Sequence, residues 1–148
     1  MAKYTKSIAR TVMETADIHK VYFKDVPEGI ITPSLYVPSP SVTGSQSALS
    51  SYYELVTYHL KIFDKSRLEA WNRAQVVTRY ILSHSGRLPI YNADGSESGE
   101  IIKIQNPYAE VIDDGVAQVT VQFKTYRLTV EERGSKAGAV IWDIKEKK

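Results

Sequence analysis

Apolar and polar residues alternate along residues 56–62, and this pattern predicts a strand with one buried face. The buried positions are every second residue: Val56, Tyr58, Leu60 and Ile62. A helix is predicted to follow, because Ser66 and Glu69 have the spacing of a capping box. Behind this cap, one face of the helix is apolar and consists of Ala70, Ala74, Val77 and Ile81. We therefore expect this strand and this helix to pack together at the centre of the fold.

A second strand is predicted over residues 116–124, where the alternation is the clearest in the chain. Its apolar face consists of Ala117, Val119, Val121 and Phe123. Its other face is polar and slightly basic, formed by Gln118, Thr120, Gln122 and Lys124. Such a face fits the lining of a hydrated passage, and an exposed sheet face predicts the same pattern. The Asp114-Gly115 pair before the strand predicts a tight hairpin turn.

Weaker patterns predict the remaining elements. Helical spacing predicts an N-terminal helix over residues 3–16, and short apolar runs predict strands within residues 17–25, 88–91, 100–105, 108–112 and 139–144. Asn106-Pro107 is expected to interrupt the chain between two of these strands. Beyond Thr125 the apolar residues move to even positions, which predicts a bulge or a change of buried face near Lys124-Thr125. Gly86 is expected to end the central helix in the left-handed conformation.

A projecting hairpin is predicted over about residues 34–55. Residues 43–47 are small and polar around Gly44, which predicts a reversal there between extended segments 34–42 and 48–55. A strand from 48 to 63 would span ~50 Å at ~3.4 Å per residue, whereas a domain of this size has a radius of gyration of only ~15 Å. The distal half should therefore project, with Leu49, Tyr52, Tyr53 and Leu55 as candidate contacts to a neighbouring subunit.

The composition narrows the class of protein. A length of 148 residues fits a single domain over 1–148, and the absence of cysteine excludes disulfides and thiolate metal sites. Nineteen basic residues against seventeen acidic ones give a net charge of +2, which provides no basic stripe for tight, specific nucleic-acid binding. No apolar run is long enough to span a membrane, and none has the form of a signal peptide. We expect no membrane partner.

The inventory of reactive side chains argues against an enzyme. His19, His59 and His84 are scattered over different predicted elements, and none has metal-ligand spacing. The serines lack a Gly-x-Ser-x-Gly elbow, and Asp113-Asp114 reads as part of a turn and not as a calcium loop. We therefore expect no catalytic residue, no metal and no cofactor.

The order of elements resembles that of tail terminator proteins of long-tailed bacteriophages. The resemblance begins at residues 21–29 (VYFKDVPEG) and continues through 33–37 (PSLYV), the tyrosine-rich segment 52–63 and the helix from Ser66. It ends with Asp114-Gly115 and the strand after it. It implies an α+β fold in which a mostly antiparallel sheet is packed by the N-terminal and central helices.

The resemblance also implies a function in virion assembly. Tail terminators form hexameric rings that cap the tail tube, stop its polymerisation and provide the joining surface for the head or neck. The expected partners are further copies of this chain, the tail tube protein, a neck or head completion protein, the tail sheath in contractile relatives, and phage DNA passing non-specifically through the bore. The expected location is the head-proximal end of the virion tail, after assembly in the host cytoplasm. Another neck or connector protein and a tail tube protein remain the alternatives.

Overall fold

The computed structural model describes residues 2–128, and these residues form two helices and eight strands. The helices are α1 (Ala2–Ala16) and α2 (Arg67–Ser83). The strands are β1 (Val21–Tyr22), β2 (Ser34–Tyr36), β3 (Ser41–Ala48), β4 (Ser51–Phe63), β5 (Arg87–Tyr91), β6 (Glu97–Lys103), β7 (Gln105–Asp113) and β8 (Val116–Leu128). The strand predicted over residues 139–144 lies outside the described residues.

Most of the strands belong to one sheet. Its order is β1-β2-β4-β8-β7, with β3 paired to β4, while β5 and β6 form a separate two-stranded sheet. The pairs β2–β4, β5–β6 and β7–β8 are antiparallel, and the short pair β1–β2 is parallel. The prediction of an α+β fold with a mostly antiparallel sheet and two packing helices is therefore confirmed.

The core is built from the faces that the alternation predicts. All four predicted positions of β4 are fully buried, as are the predicted apolar positions of α2, and the apolar face of β8 is buried with them. From α1 the same cluster receives Ile8, Ala9, Val12 and Ala16. The Tyr58 hydroxyl lies 2.6 Å from the Thr5 hydroxyl, so the phenol has a polar partner inside the core. Burial raises the pKa of Tyr58, partly offset by this hydrogen bond.

The start of α2 follows the predicted cap. The Ser66 hydroxyl accepts a hydrogen bond from the Glu69 N–H at 3.2 Å and donates one to the Glu69 carboxylate at 3.2 Å. One of the amides left without a helical partner is thereby satisfied. The acidic side chain also lies in the first turn, where it interacts favourably with the helix dipole.

The end of α2 requires a glycine. Ser85 and Gly86 both have left-handed backbones, with φ of 56° and 76°, and the Gly86 N–H donates to the Ile81 carbonyl at 2.8 Å. The predicted conformation of Gly86 is thus confirmed, although Ser85 shares it. A Cβ at Gly86 would lie 2.2 Å from the Ile104 carbonyl oxygen. Only glycine fits here without displacing the backbone.

An arginine ties α2 to its neighbours. Arg73 Nε donates to Asp64 Oδ2 at 2.5 Å, and its Nη1 donates to the Ala16 carbonyl and, at 3.3 Å, to the Asp17 carbonyl. The Asp64 N–H in turn donates to the Gly115 carbonyl at 2.9 Å. The Arg73 guanidinium therefore links α2 to the end of β4 and to the end of α1. The Asp64 backbone in addition hydrogen-bonds to the β7–β8 turn.

The prediction for the hairpin turn is wrong. Residues 34–42 do not form one strand: β2 pairs with the far end of β4, where Tyr36 faces Lys61. The reversal lies at the two residues Leu49-Ser50, between β3 and β4, and not at residues 43–47. Gly44 lies within β3 instead. The hairpin is therefore made by Ser41–Ala48 and the first part of β4.

The sequence predicts one irregularity in β7 and one in β8. The interruption at Asn106-Pro107 appears as a shift of register between Gln105 and Tyr108 within a continuous β7. β8 is also continuous through Lys124-Thr125, and the bulge predicted there stays a prediction. The alternative, a change of buried face, does not bury Tyr126, which is exposed.

The chain divides into two compact units. Within the described residues, one unit comprises residues 2–43 and 55–124, and the other comprises residues 44–54 and 125–128. Both β4 and β8 contribute residues to each unit. That residues 1–148 act as one domain, with a hairpin that projects from it, remains a prediction.

Candidate functional site

The hairpin tip carries an apolar residue in full contact with solvent. Leu49 occupies the two-residue turn and is 99% exposed. The Gln46 side-chain amide donates to the Ala48 carbonyl at 2.6 Å, which braces the backbone next to the turn. A leucine at this position stabilises nothing within the described chain, because its burial requires another surface.

Three of the four predicted arm residues are half-buried, and Leu49 is the exception. Tyr53 packs on Tyr126 with ring centroids 5.9 Å apart, so one of the predicted interface tyrosines is engaged within its own unit. Arg127 Nε lies 3.0 Å from Glu54 Oε1, an ion pair between the same two strands. Tyr52 and Leu55 are half-buried and remain proposed interface residues.

The sheet has an open polar face around β4 and β8, made of Thr57, His59 and Lys61 with Gln118, Thr120, Gln122 and Lys124. Gln122 Nε2 donates to Thr57 Oγ1 at 3.3 Å, and His59 Nδ1 lies 3.2 Å from Thr120 Oγ1. The structure thus brings the four predicted bore residues of β8 together with three polar residues of β4. Of the predicted bore residues, Lys124 is exposed and Gln118, Thr120 and Gln122 are half-buried; His59 on β4 is exposed.

The neighbouring strand β7 extends this face. Tyr108 is opposite Thr120 and Glu110 is opposite Gln118, so their side chains lie on the same side of the sheet. The Tyr108 hydroxyl donates to the Glu110 carboxylate at 3.0 Å, and that hydrogen bond, with the nearby negative charge, raises the pKa of the Tyr108 phenol. The face is polar, hydrogen-bonded and mixed in charge, which suits a surface that contacts a partner without reading a sequence.

The histidines take part in local contacts. His19 Nε2 lies 3.1 Å from the Asp17 carboxylate on the surface, and the His84 ring stacks on Tyr80 with centroids 4.0 Å apart. His59 belongs to the open face. The three side chains are therefore on three different parts of the molecule, and the geometry assembles no catalytic group from them.

A further surface was not predicted from the sequence. A groove of about 600 Å³ lies beside the C-terminal half of α1, with Ala9, Met13, Ile18, Val21 and Phe23 as its apolar lining. We call it the α1 groove. The sequence signal for it was weak, because Asp17 takes the place that glycine usually has in the turn that forms it.

Comparison with known proteins connects the chain with phage-like elements. No family model matches. The chain is 25% identical over 95 residues to the uncharacterized protein YqbJ of Bacillus subtilis (strain 168), covering 64% of this chain and 66% of that protein. It is 24% identical over 105 residues to the phage-like element PBSX protein XkdJ of the same strain, covering 71% of this chain and 72% of that protein. The chain thus spans about two thirds of the length of these curated relatives.

Among solved structures, the chain is similar to one from the virion of a native gene transfer agent particle. The TM-score is 0.45 at 10% sequence identity, covering 84% of this chain and 92% of that one. Within residues 2–128, neither helix has the length and apolar character needed to cross a membrane.

Proposed function

We propose that the protein is a structural component of a phage or phage-like particle, and specifically a tail terminator. In this function it forms a hexameric ring that caps the tail tube, stops tube polymerisation and presents the surface to which the head or neck joins. Its location is the head-proximal end of the tail. It acts by shape and assembly, without catalysis.

The observation that carries this proposal is the similarity, over most of the chain, to a protein of the phage-like element PBSX. The order of elements fits the terminator resemblance, with α1, a short strand, the long hairpin, α2 and the β7–β8 hairpin in sequence. Assembly proteins need surfaces that their own fold leaves uncovered. The exposed Leu49 and the open sheet face are two such surfaces.

The two surfaces receive different roles in the proposed ring. The hairpin, with Leu49, Tyr52, Tyr53 and Leu55, is the arm that contacts the adjacent copy. The open face, with Gln118, Thr120, Gln122 and Lys124, lines the bore, where short polar side chains and a lysine let DNA pass without specific contacts. The tube protein, the neck protein and, in a contractile tail, the sheath contact the remaining surfaces.

The mass of the assembly in solution tests the proposal. Native mass spectrometry of the purified chain should give a hexamer, alone or after addition of tubes made from the tail tube protein of the same element. Tubes assembled with the chain present should also be shorter in electron micrographs. A twelve-fold ring would indicate a neck adaptor instead, and a long polymer would indicate a tube protein.

The proposed bore has its own test. Lys124→Glu should leave the hexameric mass unchanged and lower the yield of DNA-filled particles, because the lining would then repel the phosphates. Lys65→Glu makes the same charge change at an exposed residue away from the open face. It should change neither the hexameric mass nor the yield of DNA-filled particles. Loss of the ring in the Lys124 variant would place that face at a subunit contact and contradict its role in the bore.

A further inference from the structure

The α1 groove owes its shape to the way α1 ends. Asp17 has a left-handed backbone with φ of 55°, and the Ile18 N–H donates back to the Met13 carbonyl at 2.9 Å. This turn brings Ile18 back beside the last turns of α1, as in the hydrophobic contact that usually accompanies such helix ends. Phe23, which is 41% exposed, also lines the groove. The result is an apolar depression that the described chain leaves open to solvent.

The charges around the groove cancel one another. Two cationic side chains, Lys6 and Arg10, and two anionic ones, Glu14 and Asp17, line it. Arg10 Nε lies 3.3 Å from the Glu14 carboxylate. A charged occupant would therefore find no excess of the opposite charge. An uncharged occupant with an apolar residue at its end matches the groove best.

The hairpin tip has those properties. Residues 41–53 contain no Asp, Glu, Lys or Arg, although 24% of the chain consists of these residues. Leu49 lies at the reversal of this uncharged ribbon and is 99% exposed. The small neighbours Ala48 and Ser50 would let the tip enter a depression without steric hindrance.

We propose that the hairpin tip of one copy docks in the α1 groove of the next copy, with Leu49 against Met13, Val21 and Phe23. This inference rests on the proposed ring and identifies the surface that receives its arm. Tip and groove are different surfaces of the same chain, so the contact is heterologous, and each copy offers both halves. Repetition of such a contact closes into a ring when the rotation between copies allows it.

The absence of cysteine makes this contact directly testable. A chain carrying Leu49→Cys and Met13→Cys should form disulfides between copies under mild oxidation, seen on a non-reducing gel as a ladder up to the hexamer. A disulfide requires Cβ atoms only about 4 Å apart, so the ladder reports true docking. The matched control carries Leu49→Cys and Leu82→Cys, because Leu82 is 61% exposed on α2 and lies outside the groove. It should give no ladder.

A second cysteine pair covers the case in which Met13→Cys prevents folding, because Met13 packs against the core. Phe23 is one of the residues proposed to contact Leu49 and is 41% exposed, so Phe23→Cys should leave the core intact and cross-link with Leu49→Cys in the same way. Separately, Leu49→Ser should weaken assembly by roughly tenfold to a hundredfold per contact, the range expected when a buried leucine is lost. Circular dichroism confirms that each variant is folded.

The outcomes separate the docking from the ring. An equal ladder in the Leu82 control, a disulfide closed within one chain, or dimers formed only through Leu49→Cys would each overturn the docking. A hexameric mass without cross-links to either groove position would overturn it too, while leaving the ring. Monomers without cross-links at the highest concentration, with and without tubes, would overturn both proposals.

Discussion

Replacing Arg73 with methionine should destabilise the protein far more than the same change elsewhere on α2. Methionine keeps most of the aliphatic stem and removes only the guanidinium. The variant loses the 2.5 Å ion pair with Asp64, whose side chain is only 2% exposed, together with two hydrogen bonds to the end of α1. The Asp64 carboxylate would then retain the Lys65 N–H, at 2.8 Å, but no counter-ion.

The expected loss can be worked from this environment. Removing one partner of a buried pair costs about 3–5 kcal/mol, because the other charge stays buried without compensation. The Arg73 side chain is 27% exposed, so water can replace part of what the guanidinium provides. We therefore expect the free energy of unfolding to fall by about 2–3 kcal/mol. The urea midpoint should fall by about 1 M, given slopes of about 1–3 kcal/mol per M.

Urea unfolding followed by circular dichroism measures this at one fixed protein concentration, since assembly would otherwise shift the midpoint. Arg79→Met is the matched control: Arg79 is exposed on the same helix and, among the described residues, donates to Gln75 alone, at 2.7 Å, so its loss should cost no more than about 0.5 kcal/mol. The double variant Asp64→Asn, Arg73→Met should lose about 1–2 kcal/mol less free energy of unfolding than the sum of the losses in the two single variants. Equal midpoints for the two arginine variants would refute the reasoning.

Two further changes test individual contacts. Gly86→Ala should lower the free energy of unfolding by about 2–4 kcal/mol, because its Cβ would meet the Ile104 carbonyl at 2.2 Å and the backbone is left-handed. The control is Gly29→Ala, which has no atom within 4 Å of the added Cβ and should be close to neutral in the same urea assay. The Ser96 hydroxyl donates to Asp94 at 2.6 Å and, with the Ser96 N–H, holds the pKa of Asp94 below its usual range. Stability from this contact is present above the ordinary pKa and lost as the pH falls through the lowered one. Ser96→Ala should raise the pKa of Asp94 in a carboxyl NMR titration, and an unchanged pKa would contradict the role of the hydroxyl.

Periodicity predicted the elements that lie on one core. The alternation of β4 and β8 and the helical stripe of α2 arise because a single face of each is buried, and burial selects apolar residues at that spacing. The pairing of β1 with β2 could not be predicted in this way. It joins two short strands through Val21 and Leu35, which are distant in sequence, and no local pattern records such a partnership.

The incorrect or missing predictions from the sequence have local causes. Gly44 and its small polar neighbours have turn composition, yet they lie within β3, where pairing with β4 overrides a weak intrinsic preference. Leu49-Ser50 forms the actual turn without the Asn, Gly or Pro that marks most hairpins. The α1 groove was not predicted for a similar reason. The left-handed turn that forms it usually has glycine at this position, and here Asp17 adopts that conformation.

The loss of alternation in the hairpin bears on its function. Within residues 56–62 the apolar and polar side chains alternate because the chain covers one face of the strand and leaves the other to solvent or to polar contacts. Tyr52, Tyr53 and Leu55 follow no such rule, and all are half-buried in the structure. A ribbon whose two faces are alike has no face assigned to its own core, and an isolated hairpin is at best marginally stable in water. The missing pattern is compatible with the proposed contact to another copy, and Leu49, which is 99% exposed, is the residue that would bury most surface in that contact.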